Sequence, residues 1–409
     1  MLFAIWNKYE HKISTELFRN KLLSTGDILV ELKNHKMALN LCYGRYLQYI
    51  YPSLHDIGNL NELMARFFPR EFGDSDCVLT ARALLGFCTC QFALLVAGGG
   101  GGEMKRGCLQ LLFLLRLLTQ ALLQDEKLCW LLYNGTVHIY TISRHLMEHG
   151  HSAKVCEYLL WASVCMESSV PLLDVRYLSW RATLYTAVCQ AYYNCKLPAQ
   201  AEEFARRGLA KIAELSELES QSSSPHSKQA ESAFRDATIK MAIMIFKHTV
   251  FESRKKPKGF LRTRMKTNLR DPKIAQAAWP RTGTERLLSE LLEGGAAQMV
   301  AVLDALSHRA AEECAPHALA GSPAAAFDHD SAEVFAELFF AGAEIIAVLN
   351  NTSFNNKCSI QTKVVLRHKA ECTSPLSMEA TVRFLKLAFM CERWDIFEGL
   401  ISPTLGYLQ

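Results

Sequence analysis

Pro198-Ala199-Gln200-Ala201-Glu202-Glu203-Phe204-Ala205-Arg206-Arg207-Gly208-Leu209-Ala210-Lys211-Ile212-Ala213-Glu214-Leu215 shows the helical period of the chain in its plainest form. Pro198 suits a first helical turn, where its missing N–H would have no intrahelical partner in any case. Ala201, Phe204, Ala205, Ile212 and Leu215 then fall on one face, while Glu202 with Arg206 and Glu203 with Arg207 stand four residues apart on the solvent side. The result is one amphipathic helix. Working outward, the same period predicts helices over 16–33, 35–50, 78–97, 104–123, 126–149, 152–167 and 172–195 before it, and over 231–252, 284–293, 296–314, 331–349 and 376–394 after it. Strand-like alternation is nearly absent.

Short connections join neighbouring runs, and several pairs carry parts of the tetratricopeptide pattern, in which small residues let two antiparallel helices approach. Gly26 and Ala38 stand twelve residues apart, with Leu22 and Leu29 at large apolar positions. Tyr185, Val188, Tyr192 and Ala201 fit the same series, with Cys189 where the pattern usually has Gly. Around 149–162 only the turn glycine Gly150 and the small Ala162 agree. The expected fold is therefore all-α, a tetratricopeptide-like α-solenoid of stacked antiparallel helical hairpins. Three regions are expected: a helical-repeat solenoid over 1–253, a basic linker or contact segment over 254–283, and a second, partly irregular helical region over 284–409. Polar 220–228 and small-residue 315–326 read as loops. The aperiodic stretch 350–375 is also expected to be loop. Trp394, Phe397 and Leu400 still ask for a partner surface, as in a fragment of a longer fold.

With 409 residues, half of them hydrophobic and 21% charged, the chain has ample capacity to bury a core. Its fourteen cysteines lie mainly in apolar helical stretches (Cys88, Cys90, Cys165, Cys189), where a reduced thiol packs as a small hydrophobe, so a reducing compartment is expected. The start, Met-Leu-Phe-Ala-Ile-Trp-Asn-Lys, has neither a basic n-region nor a small-residue cleavage site. The uncharged stretch 83–102 has the length of a membrane span, yet five of its residues are the glycines Gly98 to Gly102. With 109–123, which carries Arg116 at its centre, it reads as buried core helix.

The sharpest catalytic candidate is His145-Leu146-Met147-Glu148-His149, the H-x-x-E-H form of an inverted zinc-peptidase motif. On a helix His145 and His149 would share a face and bind zinc, with Glu148 as general base and a more distant acid as further ligand. The pattern is short and weakly specific; polar residues closing a helix before the Gly150 turn are the preferred account of it. Cys88-Thr89-Cys90 cannot place both thiolates on one helical face. Gly98 to Gly102 lacks the Lys-Ser/Thr pair of a phosphate loop, and Gly150-His151-Ser152 fails as a nucleophile elbow because Lys154 takes the second glycine position. No catalytic residue, cofactor or metal is expected.

What remains is Arg254, Lys255, Lys256, Lys258, Arg262, Arg264, Lys266, Arg270 and Lys273, with Phe260, Leu261, Met265 and Leu269 interleaved. These nine basic residues against Asp271 give the segment a charge of +8, so the rest of a chain of net charge +4 is at about −4. Pro257 and Gly259 make its start non-helical, while 260–269 has the pattern of a short basic amphipathic helix that folds against an acidic surface such as tubulin, calmodulin, anionic lipid or RNA. A solvated loop serving only solubility is the plain alternative.

Several longer strings are rare in composition, with Trp, Tyr and Cys in fixed order: Ile5–Glu10 (IWNKYE), Cys42–Gln48 (CYGRYLQ), Ala83–Phe92 (ALLGFCTCQF), Leu128–Met147 (LCWLLYNGTVHIYTISRHLM), Tyr158–Pro171 (YLLWASVCMESSVP), Val175–Cys195 (VRYLSWRATLYTAVCQAYYNC) and Trp279–Leu288 (WPRTGTERLL). Together they resemble the cilia- and flagella-associated protein 54 family. The likeness covers most of the chain to about Leu306, with Gly98 to Gly102 looking like an insertion. It implies a piece of a very long, helix-rich component of the central apparatus of motile axonemes, helping to build a projection needed for ciliary and sperm-tail assembly and beating. It also implies no catalytic residues, and partners among other central-apparatus proteins, with the microtubule or calmodulin as candidates for the basic segment. No small-molecule substrate, specific nucleic acid or membrane span is expected, and the location implied is cytoplasm, cytoskeleton and ciliary axoneme. Two other readings compete: a zinc metallopeptidase using His145, Glu148 and His149, and a cytosolic tetratricopeptide-type adaptor with no ciliary role.

Overall fold

The computed structural model describes residues 12–50, 75–99, 101–221, 228–252, 279–314, 329–354 and 376–406, and among these no residue is in a strand. Their helices are α1 (Thr15–Glu31), α2 (35–50), α3 (Ser75–Ala97), α4 (Gly101–Leu122), α5 (Cys129–Glu148), α6 (Ser152–Ser168) and α7 (Leu178–Asn194). There follow α8 (Pro198–Gln221), α9 (Lys228–Glu252), α10 (Gly283–Leu291), α11 (Gly295–Cys314), α12 (His329–Phe354), α13 (Met378–Met390) and α14 (Trp394–Gly406). The fold is all-α, of stacked helical hairpins. The chain forms two compact units, one of Met1–Phe204 with Lys211–Ala237, the other of Ala205–Ala210 with Thr238–Gln409.

In the first unit each helix from α1 to α7 packs chiefly on its sequence neighbours, and α1 on α3, α3 on α5, α4 on α6 and α5 on α7 make the next contacts. Connections of three residues at 32–34, 149–151 and 195–197 force consecutive helices to run antiparallel. Helices two apart therefore lie side by side in the same direction, in two rows, as stacked hairpins require. The tetratricopeptide-like small residues do what the pattern demands. Gly26 on α1 and Ala38 on α2 are buried, and a Cβ at Gly26 would stand 3.0 Å from Cys42 Cβ. Cys189 and Ala201 are fully buried where α7 meets α8, with the Cys189 thiol 3.5 Å from the Ala201 carbonyl. Phe204 lies edge-on to Tyr185 at 5.9 Å.

Helix α2 is α-helical at His35–Met37 and Gly44–Ile50, with a π-helical turn at Ala38–Tyr43 between them. The Tyr43 ring is buried and would clash with a Cβ at either Gly26 or Gly86, so two glycines on different helices make its slot. Its hydroxyl donates to Asp27 at 2.6 Å, and Asp27 also accepts from Arg82 Nε on α3 at 3.0 Å. This network answers the membrane question for α3. The helix is long and apolar enough to cross a bilayer by composition, but it is packed against α1, α2, α4 and α5 and its Arg82 is held by Asp27. Asp76, in its first turn, pairs with Arg19 at 3.1 Å.

The rows are tied by a repeated polar bond. Trp161 Nε1 on α6 donates to Thr119 Oγ1 on α4 at 2.9 Å, and Trp180 Nε1 on α7 donates to Thr136 Oγ1 on α5 at 3.0 Å. In both, an indole bridges to a threonine two helices back, which satisfies a partly buried N–H and fixes the register of the row. Four aromatic rings gather there, with Tyr133 and Tyr140 at 6.0 and 5.2 Å from Trp180, and Tyr177 5.2 Å from Tyr133.

In the second unit α10 packs on α12, α11 on α13, and α12 on α14, alongside sequence neighbours. Lys247 on α9 is 3% exposed and reaches Asp304 on α11 at 3.0 Å. Phe339 and Phe384 are buried 5.7 Å apart, and Phe384 presses on Gly342, where no side chain fits.

Two sequence expectations are corrected. The expected last helix over 376–394 is present but ends at Met390, because Cys391, Glu392 and Arg393 form a turn in which Glu392 takes φ 54°, and a further helix, α14, follows it from Trp394. Part of the expected loop at 350–375 is helical, since α12 continues to Phe354. At the glycine run α3 ends at Ala97 and α4 begins at Gly101, and a Cβ at Gly101 or Gly102 would meet no atom within 4 Å. The ends of the expected loop 220–228 are helical, since α8 runs to Gln221 and α9 begins at Lys228; its residues 222–227, with 315–326 and 355–375, lie outside the described residues.

Candidate partner-binding surfaces

The segment predicted to contact partners, Arg254 to Lys273, lies outside the described residues, as does everything from 253 to 278. Its two flanks are described, and both belong to the second unit. On one side α9 ends at Glu252, anchored by the Lys247–Asp304 pair a turn earlier. On the other, Trp279 Nε1 donates to Ser289 at 3.2 Å, and Arg281 pairs with Glu344 at 3.0 Å beneath the Phe340 ring. Thr282 and Glu285 form a reciprocal capping box that starts α10, and Glu285 also accepts from the Arg281 backbone N–H. Thr284 donates to the buried Glu337 at 2.7 Å. The described residues on both flanks of the basic segment are thus anchored in one unit.

The motif His145, Glu148 and His149 sits at the end of α5. His149 Nδ1 donates to the His145 carbonyl at 2.8 Å, the two imidazoles are 4.4 Å apart, and His145 meets Phe92 edge-on at 5.6 Å. Glu148 accepts from Arg144 at 3.2 Å. Among the described residues no three His, Cys, Asp or Glu side chains are placed to hold a metal, so the third ligand that a peptidase requires is not found among them. Cys88 and Cys90 are both buried, and burial pushes each thiol up to about 12, far from the thiolate that metal binding or nucleophilic attack needs. Cys165 is likewise raised to about 12 by burial.

A groove that sequence periodicity did not reveal lies between α4 and α6. Lys105, Arg106, Leu109, Gln110 and Phe113 line it from α4 and Tyr158 from α6, around an open volume of about 470 Å³. At its far end Arg116 stacks over Trp161 at 5.6 Å and pairs with Glu157 at 3.4 Å. At its near end desolvation, then the charges of Lys105, His149 and Lys154, hold the His151 imidazole below its ordinary value. The only sequence signal was that Leu109, Phe113 and Arg116 share a helical face; that Tyr158 lies opposite them is a tertiary fact.

A family profile described as "Cilia- and flagella-associated protein 54" matches residues 1–409. The proteins of that name from Mus musculus and Homo sapiens are 44% and 42% identical to this chain over 412 aligned residues, covering all of it and 13% of each relative. The one from Chlamydomonas reinhardtii is 26% identical over 220 residues, 53% of this chain and 7% of the relative. The match runs well past residue 315, where the likeness was not visible in the sequence strings. The chain spans about an eighth of the length of the mouse and human relatives it matches.

Proposed function

Because the chain belongs to the cilia- and flagella-associated protein 54 family, we propose that it is a non-catalytic scaffold of the motile-cilium axoneme, part of a central-apparatus projection, acting through protein contacts. The observation that carries this reading is the family likeness over the full length of the chain, at 44% and 42% identity to ciliary and flagellar proteins of mouse and human. The architecture suits the role. Stacked helical hairpins present long continuous surfaces at low sequence cost and need no cofactor. The test is localisation: the tagged chain expressed in a multiciliated cell is expected along the axoneme and in detergent-extracted axonemes. A diffuse cytosolic signal, absent from extracted axonemes, refutes the proposal and favours a general adaptor.

Within that role the segment Arg254 to Lys273 is proposed to be a contact for an acidic surface of the microtubule or of a projection protein. Concentrated cations attract such a surface over about a Debye length, roughly 8 Å at physiological salt. Arg262, Arg264, Lys266 and Arg270 replaced by Gln should reduce co-sedimentation with axonemal microtubules, most at low salt. Phe260 and Leu269 replaced by Ser should weaken the part of binding that survives high salt. If both variants bind as the parent does, the segment is a solvated loop.

A further inference from the structure

We propose that the groove between α4 and α6 is a second docking site, for an extended acidic peptide segment that carries one large apolar side chain. It depends neither on the role of the basic segment nor on the ciliary reading, and rests on the geometry of the first unit alone.

Helices α4 and α6 flank the antiparallel α5 and so run in the same direction, which brings their N-terminal ends together. Lys105 and Arg106 come from the second turn of α4 and Lys154 from the first turn of α6. That these cations converge is independently visible at His151, whose protonation Lys105 and Lys154 both oppose. The acids nearby do not cancel them. Glu103 lies in the first turn of α4, and Glu157 is already engaged by Arg116. Counting Lys105, Arg106, Lys154 and Arg116 against Glu103 and Glu157, this part of the surface carries a net charge of +2.

Between its cationic ends the floor is apolar. Leu109 and Phe113 are half-buried on α4, and Tyr158 faces them from α6. From Lys105 to Arg116 the helix rises about 16 Å, the span of roughly five residues of extended chain. A peptide laid along it would set carboxylates against Lys105 and Arg106 at one end, place an apolar side chain over Phe113, and compete with Glu157 for Arg116 at the other end. Gly102 leaves the near end open, since a Cβ there would meet no atom within 4 Å. The openness of the groove favours such a segment over a small molecule, which takes most of its affinity from enclosure. An anionic membrane would satisfy the charges but offers no single apolar side chain to set over Phe113.

The test uses the full chain with Arg262, Arg264, Lys266 and Arg270 replaced by Gln, so that the basic segment does not compete. The probe is a fluorescein-labelled glutamate-rich peptide with a central phenylalanine, followed by anisotropy. Saturable binding that weakens with salt is expected. Lys105→Glu with Arg106→Glu should weaken it about tenfold or more, and Phe113→Ala about fivefold. Because Phe113 also packs in the fold, Gly102→Trp serves as a blocking variant that alters no charge and whose Cβ meets no atom within 4 Å; it should weaken binding comparably, with an unchanged far-UV circular dichroism melt. Absence of saturable binding overturns the proposal, as does binding indifferent to all three variants. Equal binding of an all-glutamate peptide without phenylalanine removes the apolar seat. Binding of phosphatidylserine vesicles but not of the peptide assigns the cations to a lipid surface and likewise overturns it.

Discussion

Gly86→Ala sets two opposing effects against each other at one atom. In an ordinary helix interior the added methyl stabilises by about 1 kcal/mol, because glycine loses more backbone freedom on folding than alanine. Here the new Cβ would stand 2.3 Å from both Cε1 and Cζ of Tyr43, a ring 1% exposed. An ordinary carbon contact needs more than 3.4 Å, so the ring must retreat by over an ångström. It cannot do so freely, since its hydroxyl is held by Asp27 at 2.6 Å and Gly26 closes the other side, where a Cβ would lie 2.9 Å from Cζ. Overpacking costs about 1–3 kcal/mol, and loosening a hydrogen bond to a carboxylate adds about 1.5–3 kcal/mol. After the propensity gain, the net should be a destabilisation of about 2 kcal/mol, or about 30-fold in the unfolding equilibrium. Urea unfolding followed by far-UV circular dichroism measures it, with Gly102→Ala as the comparison, expected neutral or stabilising by a few tenths of a kcal/mol because that site opens on empty space. Tyr43→Leu, which shortens the intruding group, should make Gly86→Ala less harmful than in the parent by about 1 kcal/mol or more. A Gly86→Ala chain as stable as the parent, or strict additivity with Tyr43→Leu, refutes the glycine slot.

Thr136→Val leaves the Trp180 indole N–H without its acceptor and should cost about 1–2 kcal/mol, with a coupling of about 1 kcal/mol to Trp180→Phe in a double-mutant cycle; full additivity would show that the bond joining α5 and α7 is idle. Burial lowers the His138 imidazole from 6.5 to about 4, so between those pH values the unfolded chain binds a proton that the folded chain refuses. Stability from this site is therefore full above pH 6.5 and lost as pH falls toward 4, by at most about 3 kcal/mol, and His138→Gln should flatten that part of a melting-temperature profile. Thr282→Ala removes the hydroxyl that accepts from Glu285 N–H in the capping box and should cost about 1 kcal/mol, read from the thermal melt; an unchanged melt would mean that α10 is held by its packing alone.

The sequence by itself determined the helices of this protein, because their cause is local: an apolar residue every three or four positions creates a buried stripe wherever the chain later packs, and Pro198, Gly150 and the polar runs punctuate it. The twelve-residue spacing of Gly26 with Ala38 and of Cys189 with Ala201 was legible for the same reason, since both partners lie on one hairpin. So was the +8 charge of Arg254 to Lys273, which is a sum along the chain and needs no fold. Only the tertiary structure decided what stands two helices apart. Trp161 meets Thr119 across 42 positions, Arg82 meets Asp27 across 55, and Tyr158 closes a groove begun by Lys105. No periodicity within one helix specifies such pairs, because each depends on the crossing and axial register that the intervening hairpin imposes. The same limit applies to Cys391–Arg393, where Phe384 to Trp394 kept an apolar period across a turn: hydrophobic spacing reports which residues seek burial, and the direction the chain takes between them is settled by the neighbours that bury them.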